Sequence, residues 1–296
     1  LDKTVADPGN KLNANGIFGY GYTGGSSQVS LTNLVSNTGV VAGDTTGVGT
    51  ARSHLGACGY GDTKAIFGYG TTGSSVSLTN LVSNTGVVAA DTTGVGTARN
   101  HLAACVYGND KGIFGFGQAP QTAITNLVSN TGVVATDTTG VGTVRNNLGA
   151  CGYGGDKGIF GYGTEPKTAV TNLVSNTGVV ATDTTGVGTA RYLLAACKYG
   201  SDKGIFGYGS TGSVVSLTNL VANTGVVATD TTGVGTARDQ LAACSYGLEG
   251  DKGIFGYGVT GSQVSLTNLV SNSGVVATDT TGIGTARSAP AACSYN

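Results

Sequence analysis

One phrase of 21 residues, TNLVSNTGVVATDTTGVGTAR at Thr171–Arg191, recurs in close variants at Thr32–Arg52, Thr79–Arg99, Thr125–Arg145, Thr218–Arg238 and Thr267–Arg287. The closing arginines stand 46 to 49 residues apart. Such a period marks an architecture in which one unit cannot bury its own apolar face and neighbours must stack. The repeat therefore constrains fold far more tightly than it constrains chemistry.

Within the unit Asn146–Arg191, Leu148–Tyr153 is short and apolar, with small residues at Gly149 and Ala150. Tyr153–Lys157 is turn chemistry, and Gly158-Ile-Phe-Gly-Tyr-Gly163 alternates large and small residues, as a strand against close neighbours would. A second turn at Thr164–Lys167 leads to a β-rich stretch, Thr168–Val174, then a Ser-Asn-Thr-Gly turn and a fourth strand at Val179–Asp183. No segment has helical period or helix caps. Four short strands repeated six times predict an all-β chain, a six-bladed β-propeller of four-stranded antiparallel blades. A β-helix is the competing reading, but its coils are shorter and it needs atypical caps at its ends.

The ends of the chain predict how the ring closes. The first unit begins at Gly16-Ile-Phe-Gly-Tyr-Gly21 and lacks its own first strand, whereas Ala291–Tyr295 is a first strand without a unit. Joining the two removes both open sheet edges. The expected domains are an arm or linker at residues 1–15 and a propeller at 16–296. Its blades are 16–47 with 288–296, then 53–94, 100–140, 146–186, 192–233 and 239–282.

Composition removes several function classes. Charged residues make up 10% of the chain, against about 25% in typical soluble proteins. Net charge is −1, so the clustered Lys and Arg that nucleic acid demands are missing. No apolar run reaches the roughly 18 residues that cross a bilayer, and membrane insertion is not expected. The chain starts at Leu1, holds no Met and shows no signal peptide, as expected of a processed product or a piece of a longer protein. It also lacks N-x-[ST] sequons.

The stretch Arg191-Tyr-Leu-Leu-Ala-Ala-Cys-Lys-Tyr-Gly-Ser-Asp-Lys-Gly-Ile-Phe-Gly-Tyr-Gly209 resembles a kelch repeat over about 280 residues of the chain. That family sets an Arg before a small-residue strand, a Gly turn, an apolar strand ending in paired glycines, and two further strands. Here FGYG replaces the adjacent glycine pair, and the fourth-strand Trp is missing because the chain has none. The resemblance implies a propeller and a protein-interaction scaffold. The phrase DKGIFGYG…TNLVSNTGVVATDTTGVGTAR also resembles repeats of tail-fibre-like proteins of bacteriophages, which implies a virion or cell-surface setting.

Positions that recur in every unit read as structural. Asp and Arg stand eight residues apart at Asp44/Arg52, Asp91/Arg99, Asp137/Arg145, Asp183/Arg191, Asp230/Arg238 and Asp279/Arg287. An Asx-type turn at Asp-Thr-Thr-Gly, with the Arg on carboxylates or loop carbonyls between blades, accounts for them. Cys58, Cys105, Cys151, Cys197, Cys244 and Cys293 follow those arginines by six residues. Equivalent positions in a ring point alike, so they are expected as free, buried thiols, implying folding in a reducing compartment. CxxC pairs are absent and no metal set is complete, so no metal or cofactor is expected. Gly68-Tyr-Gly-Thr-Thr-Gly73 matches G-x-G-x-x-G, but a strand follows it where a dinucleotide site needs a helix.

Function is expected where the units differ. The pairs after each Arg are Ser53-His54, Asn100-His101, Asn146-Asn147, Tyr192-Leu193, Asp239-Gln240 and Ser288-Ala289. The hairpin loops differ as well, from Tyr22–Gln28 to Val259–Gln263. Antiparallel order puts both sets on one face. The residue after each Cys varies too and is expected to face a central channel; in the fourth unit it is Lys198. The candidate ligand-binding residues are His54, His101, Asn147, Tyr192, Lys198, Asp239 and Gln240. No nucleophile–base pair or paired carboxylates mark an enzyme. The leading expectation is a non-catalytic binding or display module, lectin-like or adhesin-like, that takes a surface glycan with multivalent avidity. The alternatives are a self-associating structural subunit or a kelch-type scaffold for a protein partner.

Overall fold

The computed structural model describes residues 13–24, 27–164 and 166–296. Among these every regular element is a β-strand, and no helix is long and apolar enough to cross a membrane. The strands form repeated antiparallel sheets that fit a propeller-like repeat. We number the sheets by repeat. Sheet 2 holds Gly56–Tyr60, Lys64–Gly68 and Thr79–Val82; sheet 3 holds Ala103–Tyr107, Lys111–Gly115 and Thr125–Val128. Sheet 4 holds Gly149–Tyr153, Lys157–Gly161 and Thr171–Val174; sheet 5 holds Ala195–Tyr199, Lys203–Gly207 and Thr218–Val221. Sheet 6 holds Ala242–Leu248, Lys252–Gly256 and Thr267–Val270.

Sheet 1 is assembled from both ends of the chain. Asn13–Gly19 pairs with Thr32–Val35 on one side and with Ala291–Tyr295 on the other, in the register Ile17↔Leu34 and Ile17↔Cys293. The strand starts at Asn13, so Asn13–Asn15 of the expected arm belong to the sheet. The rest of that arm, residues 1–12, lies outside the described residues. Asn13 and Ala14 also pair with Leu248 and Gly247, joining sheets 1 and 6 along two residues.

The expected fourth strand is reduced to two bridges per unit. In sheet 4 these are Val174↔Val180 and Thr171↔Thr184. Three residue steps on one side face four on the other, the signature of a β-bulge. Asn172 fills the gap: its Nδ2 donates to Ala181 O (3.0 Å) and to Asp183 Oδ1 (2.9 Å).

Packing between sheets explains the recurring Phe-Gly-Tyr. Phe206 of sheet 5 reaches over Gly161 of sheet 4, with its Cζ 2.8 Å from where a Cβ would stand. Any side chain there would collide, which is why the position is Gly. The Phe206 ring then meets Tyr162 edge-on at 5.1 Å, an arrangement the ring quadrupoles favour. The aromatic after that Gly takes φ of 63–65° in all six units, at Tyr20, Tyr69, Phe116, Tyr162, Tyr208 and Tyr257. That backbone costs about 1 kcal/mol per non-Gly residue. It aims each ring under an arginine.

Arg52 shows the arrangement in full. It is fully buried and its guanidinium lies 4.5 Å over the Tyr20 ring. Nε donates to Tyr69 O (2.9 Å), Nη1 to Thr50 O (3.2 Å) and Nη2 to Asn80 Oδ1 (2.6 Å). Its carboxylate neighbour is Asp91, at 3.6 Å, not Asp44 of its own unit. Asp91 also accepts from Thr50 N and from Thr50 Oγ1 (2.5 Å). The Asp and Arg eight residues apart thus belong to different contacts. Arg145, Arg191 and Arg238 reach forward to the next unit's Asp in the same way, at 3.7–4.0 Å, while Thr97 N and Oγ1 donate to Asp137 beside Arg99, so that charge-assisted hydrogen bonds clamp neighbouring units.

Candidate functional site

First strands alternate between two environments. In Gly56–Tyr60 the side chains of Cys58 and Tyr60 are buried between sheets, while Ala57 and Gly59 line cavities on the axis. Each first strand contacts the next, from Gly56–Tyr60 through Ala242–Leu248 to Ala291–Tyr295 and back to Gly56–Tyr60. The cysteines are free and buried. Burial pushes the thiols of Cys105 and Cys244 up to about 12. Cys58 Sγ fills the space against Gly112 of the next sheet, 2.4 Å from where a Cβ would stand. The one exception to that Gly is Ala65, in the sheet next to Cys293, with which it shares a core cluster.

The unlike residues meet at one end of this axis. The residue after each Arg bridges the residue after each Gly-aromatic-Gly: Ser53↔Thr71, Asn100↔Gln118, Asn146↔Thr164, Tyr192↔Ser210, Asp239↔Val259 and Ser288↔Tyr22. One residue further along, the backbone closes a hoop. His54 N–H donates to Ala289 O (3.2 Å), His101 to His54 (2.9 Å), Asn147 to His101 (2.9 Å), Leu193 to Asn147 (2.9 Å), Gln240 to Leu193 (3.0 Å) and Ala289 to Gln240 (2.8 Å). All six members have φ of 49–55°. Their side chains rim a cup of about 130 Å³.

Three hoop members carry most of its polarity. The His54 and His101 rings stack at 3.8 Å with a 38° tilt, and Tyr22 meets His54 edge-on at 5.6 Å. His54 Nδ1 lies 3.1 Å from Ser53 Oγ. His101 Nδ1 hydrogen-bonds Asn147 Oδ1. The Asn147 amide is oriented in turn by Nδ2 donating to Asn146 Oδ1 (2.5 Å), so the ring nitrogen of His101 is the donor. Burial, with His101 beside it, holds His54 down at about 3. Burial also lowers His101, against the Asn147 bond. Both imidazoles are therefore neutral near pH 7.

Ala57, Ala104, Ala150, Ala196, Ala243 and Ala292 line both the cup and a second cavity of about 590 Å³ beyond it. Lys198 stands in that second cavity, where burial lowers its pKa against the pull of Glu249 and Asp202. The hairpin Tyr246–Asp251, two residues longer than its counterpart Tyr199–Asp202, brings Gly250 within 3.4 Å of Lys198 Cε, measured from a built Cβ. Ser245 and Ser294 stitch the neighbouring strands, with Ser245 Oγ donating to Lys198 O (2.9 Å) and Ser294 Oγ to Ser245 O (2.8 Å).

The candidate residues thus divide. His54, His101, Asn147 and Gln240 share the hoop. Tyr192 and Asp239 sit one residue back, on bridges beside Ser210 and Val259. Burial raises the Asp239 carboxyl. Lys198 stands apart from the other candidates: it lines the second cavity beyond the alanine ring, because the residue after Cys is five positions further along the first strand than the hoop member. Leu193 and Ala289 complete the hoop without having been singled out. The signal was present, since both stand two residues after an Arg like the histidines. Among the described residues no three His, Cys, Asp or Glu side chains gather as a metal set. No protein-family model and no curated protein matches the chain.

Proposed function

We propose that the chain is a six-bladed β-propeller closed by Ala291–Tyr295, acting as a non-catalytic binding module. Its recognition surface is the end that carries the hoop and the paired unlike residues. The observation behind this reading is the division of labour. Residues identical in every repeat are consumed by the Arg–Asp clamps and the Phe-over-Gly contacts, while the unlike ones are gathered in pairs at one end. A rigid frame carrying adjustable polar positions is the usual layout of a binding face. Ser, Thr, Asn and Gln with Tyr22 and Tyr192 suit the shallow hydrogen bonding and ring stacking of a surface glycan. The likeness to kelch repeats and to tail-fibre-like repeats belongs to this same proposal. A glycan array screened with the wild-type chain and with Tyr192→Ala and Asp239→Ala tests it. Hits weakened by either substitution support the reading; no hits, or hits indifferent to both, contradict it.

One observation favours a second reading, self-association. Val40, Val87, Val133, Val179, Val226 and Val275 are 62–66% exposed, one in each repeat. A repeated apolar position on a charge-poor surface suits ordered contact between copies. Sedimentation at rising concentration tests this: a strict monomer throughout contradicts it.

A further inference from the structure

We propose that Lys198 is a reactive amine that captures a small aldehyde in the second cavity and holds it as an imine on Nζ. This site goes beyond the glycan reading and does not depend on it.

The position after each Cys supplies a ring beyond the alanines: Gly59, Val106, Gly152, Lys198, Ser245 and Ser294, all lining the cavity of about 590 Å³. Lys198 is the charged member of that ring, and the space beside it is open. At Gly152, on the neighbouring first strand, a built Cβ would stand 4.0 Å from Lys198 Cδ. The Lys198 backbone is fixed, its N–H donating to Ser245 Oγ (3.1 Å) and its carbonyl accepting from the same hydroxyl (2.9 Å). Gly250 of the longer hairpin covers the stem of the side chain. Among the described residues Lys198 Nζ makes no hydrogen bond and no ion pair. Glu249 and Asp202 pull on it from beyond contact, and Asp202 is already held by Lys203 and Asn223. The lysines that start second strands are different: Lys111, Lys157 and Lys203 each pair with the preceding Asp at 2.8–3.2 Å.

A half-buried amine among alanine, valine and glycine, with no anion in contact to hold its proton, is disfavoured as an ammonium and activated as a nucleophile. The Nζ lone pair adds to the aldehyde carbon, which makes the C–N bond of a carbinolamine. The carbinolamine loses its oxygen as water and the C=N bond forms, with solvent supplying and taking up the protons. Amine and aldehyde give imine and water, and nothing is oxidised or reduced.

The test uses the full chain, incubated at pH 7 with benzaldehyde and trapped with cyanoborohydride, and the labelled lysines are identified by peptide mass spectrometry. Lys198 should be labelled about tenfold faster than Lys111, Lys157 and Lys203. Lys198→Arg keeps the charge, removes the nucleophile and should leave only the slow labelling of the other lysines. Gly152→Val should slow labelling at Lys198 alone, because its side chain fills the space that the aldehyde needs; Val106 shows that the ring accepts Val. The same aldehyde carried on a dextran too large for the cavity should lose its preference for Lys198, a readout that needs no variant. Labelling of Lys198 no faster than that of Lys111, Lys157 and Lys203 overturns the proposal. So does a preference for Lys198 that persists with the dextran-borne aldehyde. Glycan binding is read separately, so failure here leaves the binding-module reading standing.

Discussion

Arg287 of the last repeat lies 3.9 Å from the carboxylate of Asp44 in the first. Thr285 Oγ1 donates to the same carboxylate at 2.5 Å, and Arg287 Nη2 donates to Asn33 Oδ1 at 2.6 Å. This is the clamp seen between Arg52 and Asp91, remade between residues 241 to 254 positions apart. It differs in one atom, since Arg287 Nε has no partner.

Asp44→Ala should therefore cost about 2–3 kcal/mol, because it takes the acceptor from Thr285 N–H, Thr285 Oγ1 and Asn33 Nδ2 and leaves the buried Arg287 guanidinium without its neighbouring carboxylate. Asp183→Ala, in the middle of the chain, should cost a similar amount. Urea melts of the two variants check this. A chain whose ends did not meet would lose stability only from Asp183→Ala.

The six clamp aspartates set the response to acid. Burial alone would raise the Asp44 carboxyl, but hydrogen bonds from Thr285 and Asn33, with Arg287 behind them, outweigh it and hold the carboxyl below its ordinary value of 3.8. The same balance acts at Asp91, Asp137, Asp183, Asp230 and Asp279. A carboxyl depressed in the folded state adds stability above its unfolded pKa and loses it as pH falls through the folded one. Stability should hold from neutral pH down to about 4 and then fall as the six protonate. Denaturation midpoints measured from pH 7 to pH 2 check this; a decline already complete at pH 5 contradicts it.

The thiols should be inert while the chain is folded. All six are buried, and burial raises their pKa values, so little thiolate is present to react. Ellman's reagent should report none in the native protein and six in denaturant. Fewer than six in denaturant would mean that some are bridged.

Much of this architecture is legible in the sequence. Turn residues and the alternation in Gly158–Gly163 reveal the strands, because both signals are local. The fourth strand is misjudged because Val179–Asp183 has strand composition but carries an extra residue, and only the Asn172 side chain shows how the bulge is accommodated. The partner of each Arg is illegible for a different reason. Spacing within a unit says which residues are near in sequence, whereas Arg52 and Asp91 meet through the curvature of stacked sheets. The hoop was hidden likewise: His54, Leu193 and Ala289 share no chemistry, and what unites them is backbone.

Two glycines give a contrast that separates packing from composition. At Gly68 a Cβ would stand 2.7 Å from Phe114 Cζ, while at Gly43 nothing lies within 4 Å. Gly68→Ala should cost about 1–3 kcal/mol, as overpacking does. Gly43→Ala should fall within about 0.5 kcal/mol of wild type. Equal effects in thermal melts would contradict the Phe-over-Gly contact between sheets.

The most direct test of the closed ring is removal of residues 290–296, followed by urea unfolding watched through tyrosine fluorescence and hydrogen exchange. Those residues carry the strand that pairs with Asn13–Gly19. Closure predicts that the single cooperative transition is lost or moves far to lower urea, with protection falling in sheets 1, 2 and 6 together. An unchanged midpoint and slope, with protection lost only beside the cut, would contradict it.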